Sequence, residues 1–198
     1  TTEIYTLSLH DALPISLFWL TVPGIVFFSA FGTAFWFHQV HFAEIKGFAH
    51  LSLVAVFPLG TIALAISTII YGWAIDRFGV VRLMPLYILP YVAAFVIHWY
   101  APNLIWTAVA VVLMGIAGGG NGTILSACWA TFYGTRFIGS IKAAAAALMV
   151  LGSAIGPGLS GYLIDAGAGI EVQMLGYASC FAFAAAMMTA AARLAKAT

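Results

Sequence analysis

Gly72-Trp73-Ala74-Ile75-Asp76-Arg77-Phe78-Gly79-Val80-Val81-Arg82 is the stretch on which the reading of the fold turns. It closes an apolar run that begins near residue 48 and opens another that ends near residue 100. A short charged reversal flanked by glycines is what a loop between two membrane spans needs. Glycine permits the tight turn, and the two arginines hold it outside the hydrocarbon. Gly72 would allow close helix approach, and Asp76 could accept from backbone N–H groups of a neighbouring helix start.

Outward from this loop the chain divides in the same way. A bilayer core of about 30 Å takes about 20 apolar residues per helix. Six segments of that kind lie at about 17–40, 48–72, 83–100, 104–132, 141–164 and 172–193. Polar stretches at 41–47 and 76–82, the turn Ala101-Pro102-Asn103, and mixtures of glycine and charge at 134–142 and 165–171 separate them. Of the 198 residues, 64% are hydrophobic and 7% charged, against about 25% charged in soluble domains. The expected fold class is therefore an all-α integral membrane protein with six transmembrane helices, and the bilayer is its first partner.

The positive-inside rule sets the orientation. Arg77 and Arg82 follow the second span, Arg136 and Lys142 the fourth, and Arg193 and Lys196 the sixth, whereas Lys46, Glu44, Asp165 and Glu171 fall on the other side. The C-terminus is thus expected in the cytoplasm, with the chain in a bacterial-type inner (plasma) membrane. Thr1–Ser16 has neither a basic n-region nor a small-residue cleavage site. It reads as a non-native or linker segment and resembles translated sequencing-adaptor read-through, so His10 and Asp11 are set aside and 17–198 is taken as the functional unit.

Several classes of function are excluded. A net charge of +1 without interleaved arginines and aromatics gives nucleic acid nothing to bind. Cys128 and Cys180 lie in apolar runs and read as small buried hydrophobes. No metal-ligand spacing or nucleotide loop is present, so no metal and no cofactor are expected. Gly158-Leu159-Ser160-Gly161 matches the serine motif of rhomboid-type intramembrane proteases. That chemistry needs a histidine on a later helix as base, and the last histidine is His98, so neither an enzyme nor catalytic residues are expected.

The 72–82 loop resembles the signature loop of the major facilitator superfamily. That loop reads glycine, three residues, aspartate, a basic residue, any residue, glycine and further basic residues, and recurs between the second and third helices of each half. Val80 and Val81 depart from it, with Arg82 one place late. A second stretch runs from Tyr133-Gly134-Thr135-Arg136 through Gly139-Ser140-Ile141-Lys142 to Gly156-Pro157-Gly158, Gly161 and Asp165. It looks like the region between the tenth and twelfth helices of bacterial facilitators related to monocarboxylate and oxalate-formate porters. The resemblance implies that 17–198 is the C-terminal six-helix half of a 12-helix fold, with the N-terminal half as its missing partner. It implies secondary active transport of a small organic solute by alternating access, with an organic anion one option and protons one possible coupling partner. Gly72, Asp76, Arg77, Gly79 and Arg82 would form the conformational loop that latches the halves together. No basic residue lies inside a span, so dicarboxylate specificity does not carry over.

As the seventh helix of such a fold, the first span would line the central cavity. Its outer end reads Phe35-Trp36-Phe37-His38-Gln39-Val40-His41. The substrate pathway is expected at His38, Gln39 and Asn121, with Phe35 and Trp36 as apolar wall; the alternative is an interfacial aromatic belt, where His41, His50 and His98 are also placed. Gly115, Gly119, Gly122 and Ser126 form one small-residue stripe and Gly152, Gly156 and Ser160 another. With Pro157, these glycines read as helix packing or as hinges. Pro58, Pro85, Pro90 and Pro157 are expected to kink their helices. The rival to the half-transporter is a self-contained six-span protein acting as a homodimer or assembly factor.

Overall fold

The computed structural model describes residues 12–134, 136 and 138–196. The expected linker residues 1–11 lie outside these. Among the described residues the chain forms nine helices and no strand: α1 (Ala12–Phe37), α2 (Gln39–Ile45), α3 (His50–Val54), α4 (Phe57–Phe78), α5 (Val80–Leu83), α6 (Leu89–Tyr100), α7 (Leu104–Tyr133), α8 (Ile138–Asp165) and α9 (Ile170–Lys196). Five stretches are long and apolar enough to cross a membrane: Ser16–Phe37, His50–Phe78, Leu104–Tyr133, Ile138–Asp165 and Ile170–Lys196. The chain is built as a multi-pass membrane protein.

The segment expected as a continuous span at 83–100 is broken. α5 stops at Leu83, residues 84–88 are turns, and α6 has only 12 residues. Twelve residues reach about 18 Å, short of the hydrocarbon thickness. Proline explains the break, because Pro85 and Pro90 have no N–H to continue the helical ladder, while Met84 itself keeps helical backbone (φ −51°, ψ −46°). Pro90 sits in the first turn of α6, where its missing N–H costs nothing. The two pieces still traverse the bundle: α5 follows Gly79 at one end, and at the other Lys46 Nζ donates to the Trp99 carbonyl at 2.7 Å.

Other boundaries also moved. α1 begins at Ala12, inside the stretch read as linker. α4 runs on to Phe78, so Asp76 and Arg77 occupy its last turn. The reversal is confined to Gly79, whose φ of 79° is open to glycine and strained for other residues. At the start of α7, Asn103 Oδ1 accepts from the Ile105 and Trp106 N–H groups at 3.1 and 3.4 Å, satisfying two of the free donors of that helix end.

Side-by-side packing runs α4, α7, α6, α9, α1, α8. Its centre is an aromatic core in which Phe95 stacks on Phe181 (5.6 Å between centroids) and Phe31 on Tyr177 (4.4 Å). The pairs α4/α7 and α1/α8 each run parallel and are brought close by glycine. A Cβ on Gly119 would fall 2.7 Å from the Leu64 carbonyl oxygen, and one on Gly152 would fall 2.9 Å from that of Val26. These alternations gather Arg77, Arg82, Arg136, Lys142, Arg193 and Lys196 at one end of the bundle. Lys46 and Glu171 pair at the other end, 2.7 Å apart.

Candidate functional site

Between the two glycine-packed pairs lies a cavity of about 350 Å³. From α1 it takes Phe28, Ser29, Gly32, Thr33 and Trp36; from α4, Phe57, Gly60, Thr61 and Leu64; from α7, Val111, Met114, Gly115 and Gly118. Tyr91 of α6 and Met149 of α8 complete it. The α1 residues 29, 33 and 36 recur at helical spacing, as do 57, 61 and 64 of α4, so each helix presents one continuous stripe. Among the described residues, no Asp, Glu, Lys, Arg or His lines this cavity. Its polar side-chain groups are hydroxyls and the Trp36 indole N–H. The Ser29 hydroxyl donates across to the Met149 carbonyl, while those of Thr33 and Thr61 have no hydrogen-bond partner among the described residues. Aromatic faces, thioethers and a few hydroxyls suit an apolar organic molecule with weak polar anchors.

Of the residues expected in the substrate pathway, Trp36 lines this cavity and stands edge-on to Phe57 at 4.7 Å. Phe35 points the other way: it is fully buried, with its ring 4.5 Å from that of His98 and 5.7 Å from that of Phe42. His38 sits at a bend between α1 and α2, with Nε2 3.0 Å from the Pro157 carbonyl oxygen of α8. It fastens the α1/α8 pair, and its ring lies beside Gly161, where a Cβ would rest at 3.6 Å in ordinary van der Waals contact. The helical ladder continues through the bend, His38 N donating to Ala34 and Phe42 N to His38. Gln39 Oε1 is buried without a partner among the described residues. Asn121 is 8% exposed and lines a second cavity, with Oδ1 3.5 Å from the Tyr87 hydroxyl.

Of the residues expected in the conformational loop, Asp76, Arg77, Gly79 and Arg82 are all exposed; the charged groups make no hydrogen bond or ion pair among the described residues. A Cβ on Gly72 would meet nothing within 4 Å among the described residues. The small-residue stripes divide by use. Gly115, Gly119, Gly152 and Gly156 touch neighbouring backbone, whereas Gly122 faces open space. Ser160 leaves the stripe altogether, donating to Gln173 Oε1 at 2.7 Å and accepting from the Tyr177 hydroxyl at 2.9 Å, which ties α8 to α9. α7 and α8 run unbroken through Gly118–Gly122 and through Pro157.

His98, expected at the membrane interface, is fully buried among Phe35, Phe42 and Phe95. The hydroxyls of Ser29, Thr33 and Thr61 went unread because Ser and Thr are common in spans. Their helical spacing with Gly32, Trp36 and Gly60 was the available signal.

No family model matches the chain. Over 124 residues, 62% of its length, it is 31% identical to a "Multidrug resistance protein B homolog" of Mycobacterium tuberculosis, in both the CDC 1551 / Oshkosh and the ATCC 25618 / H37Rv strains. The chain matches 23% of the length of these relatives.

Proposed function

We propose that this chain is part of a secondary transporter of the facilitator type, contributing a six-segment C-terminal half with α5 and α6 together as the third segment. The observation that carries this reading is the charge-free cavity between α1, α4, α7 and α8, bounded by two close parallel helix pairs. The name of the mycobacterial relatives supports it, since multidrug resistance is a task for a cavity that takes apolar molecules of varied shape. The distribution of burial supports it too. Only 17% of the apolar window in His50–Phe78 and 11% of that in Ile138–Asp165 are buried, against 56% in α7 and 44% in α9. α4 and α8 therefore present apolar surface beside the cavity mouth, where a second half would dock and close it. Alternating access would follow from rocking of the two halves around a midplane site.

The solute in this proposal is a small organic molecule with an apolar body. Trp36, Phe57 and Met114 form its wall, and Thr33 and Thr61 anchor it. His38, Gln39, Phe35 and Asn121 lie outside this cavity, and His38 fastens α1 to α8. The basic end of the bundle faces the cytoplasm of a plasma membrane, with the C-terminus inside and the Gly72–Arg82 turn set to meet the other half. Protons are one possible driving partner.

The test is accumulation of a fluorescent lipophilic dye in cells carrying the full-length protein, with Thr33→Trp and Thr61→Trp introduced to fill the cavity. Transport lost at unchanged membrane levels is the expected result. Wild-type transport in both variants would contradict the assignment.

A further inference from the structure

The second cavity, about 190 Å³, lies toward the basic end of the bundle and shares Met149 with the first. Its chemistry is different. Lys142, Asn121, Ser126 and Trp129 line it, and among the described residues no carboxylate does. The Lys142 ammonium has no hydrogen bond or ion pair among the described residues. Asn121 is enclosed, and its one hydrogen bond runs through Oδ1 to the Tyr87 hydroxyl. The amide N–H groups of Asn121 are therefore left without a partner among the described residues. The Ser126 hydroxyl also has no partner among the described residues, and both it and Lys142 are exposed, so Asn121 is the one enclosed donor of the three.

Three kinds of donor around one cavity, with no acidic group to neutralise them, form a site for an anion. Hydrogen bonds to an ionised acceptor are about twice as strong as neutral ones. Burial of Asn121 beside an apolar wall of Ile25, Leu125 and Trp129 raises the cost of leaving its amide unpaired, while the exposed Lys142 supplies the charge.

We infer that this cavity seats the acidic group of the transported solute, so that the solute is an amphipathic organic anion whose apolar body occupies the Trp36 cavity. The inference rests on the transport reading and names its substrate class. Met149, common to both cavities, marks where body and head meet. A carboxylate, sulfonate or phosphate monoester would share the same donors, and so would the phosphate of an anionic lipid; the solute is the occupant proposed.

Binding of two probes of matched shape and opposite charge, naphthalene-2-sulfonate and naphthalen-2-yl-trimethylammonium, tests it. The measurement is titration calorimetry on the full-length protein in phosphatidylcholine nanodiscs. The sulfonate is expected to bind about tenfold more tightly, with that preference erased by Lys142→Gln and kept by Lys142→Arg. Equal binding of the two probes, or an undiminished preference in Lys142→Gln, overturns the anion site. Loss of sulfonate binding on adding phosphatidylglycerol to the disc assigns Lys142 to a lipid headgroup and also overturns it. If both probes bind equally and Trp36→Ala weakens both, only the anionic head is lost and the cavity reading survives. If neither probe binds, the cavity reading fails with it.

Discussion

The pairs α4/α7 and α1/α8 are built by one device and fastened by different ones. In each, glycines of the later helix meet the backbone of the earlier: Gly115 and Gly119 against Gly60 and Leu64, Gly152 and Gly156 against Val26 and Ala30. Without a hydrophobic drive between helices in lipid, such close approach and the dispersion it allows are the main source of association. The α4/α7 pair adds little else, a Ser67 hydroxyl shared between the Leu64 and Gly115 carbonyls at 3.0 and 3.4 Å. The α1/α8 pair adds two long-range bonds, His38 to Pro157 and Ser29 to Met149. Glycine contact sets the spacing in both pairs, and polar fastening fixes the register of one. The cavity lies between them, so its width depends on both.

The comparison breaks most sharply at the glycines that touch backbone. Gly115→Val and Gly156→Val are expected to cost 3 kcal/mol or more, at about the upper end for overpacking, because a backbone neighbour cannot swing aside. Thermal unfolding in detergent should show both variants strongly destabilised. On the same helix as Gly115, Gly122→Ala should stabilise by about 0.5–1 kcal/mol, since a Cβ there meets open space and helix propensity alone decides. A destabilised Gly122→Ala would mean that the packing assigned to α7 is wrong. Gly79→Ala is next, expected to cost about 1–2 kcal/mol through its left-handed backbone. The smallest effect belongs to the polar fastening. His38→Ala should cost about 0.6 kcal/mol, the mean for an interhelical hydrogen bond in a membrane. In His38→Gln, whose side-chain amide can still donate to Pro157, stability should be largely recovered. An equal loss in both variants would show that ring packing near Gly161, and not the hydrogen bond, holds the pair.

Much of this architecture was legible in the sequence, for physical reasons. Long apolar runs have one solution in lipid, a helix, so the spans at α1, α4, α7, α8 and α9 followed from hydropathy. Gly79 declared its turn, and the glycine stripes declared close packing without saying which member touched what. Gly122 and Gly119 look alike as letters and differ only through the neighbour that α4 provides. The prolines of 80–100 were visible as kinks, but whether a kink becomes a break depends on spacing. Two prolines five residues apart, Pro85 and Pro90, leave too few N–H donors for continuous helix, and turns result.

The candidate site was less legible. Of the aromatic and imidazole cluster at 35–41, Trp36 lines the cavity and its neighbours do not. One helical position turns a side chain by about 100°, which separates the buried Phe35 from Trp36 at the cavity. His98 was misplaced because its position near a span end suggested the interface, while the aromatic rings of α1, α2 and α6 enclose it. The hydroxyl anchors carry no charge and so gave no compositional signal.

The most direct test of the cavity is thiol accessibility in intact membranes of the full-length protein, with Cys128 and Cys180 replaced and single cysteines placed at Thr33, Thr61 and Phe183. Phe183 is an exposed residue of α9, away from the cavity. The account predicts that Thr33→Cys and Thr61→Cys react with a charged, membrane-impermeant maleimide and are protected by a bound apolar solute, while Phe183→Cys in the lipid does not react. Equal reactivity at all three positions, or labelling at Thr33 and Thr61 that no solute diminishes, would contradict it.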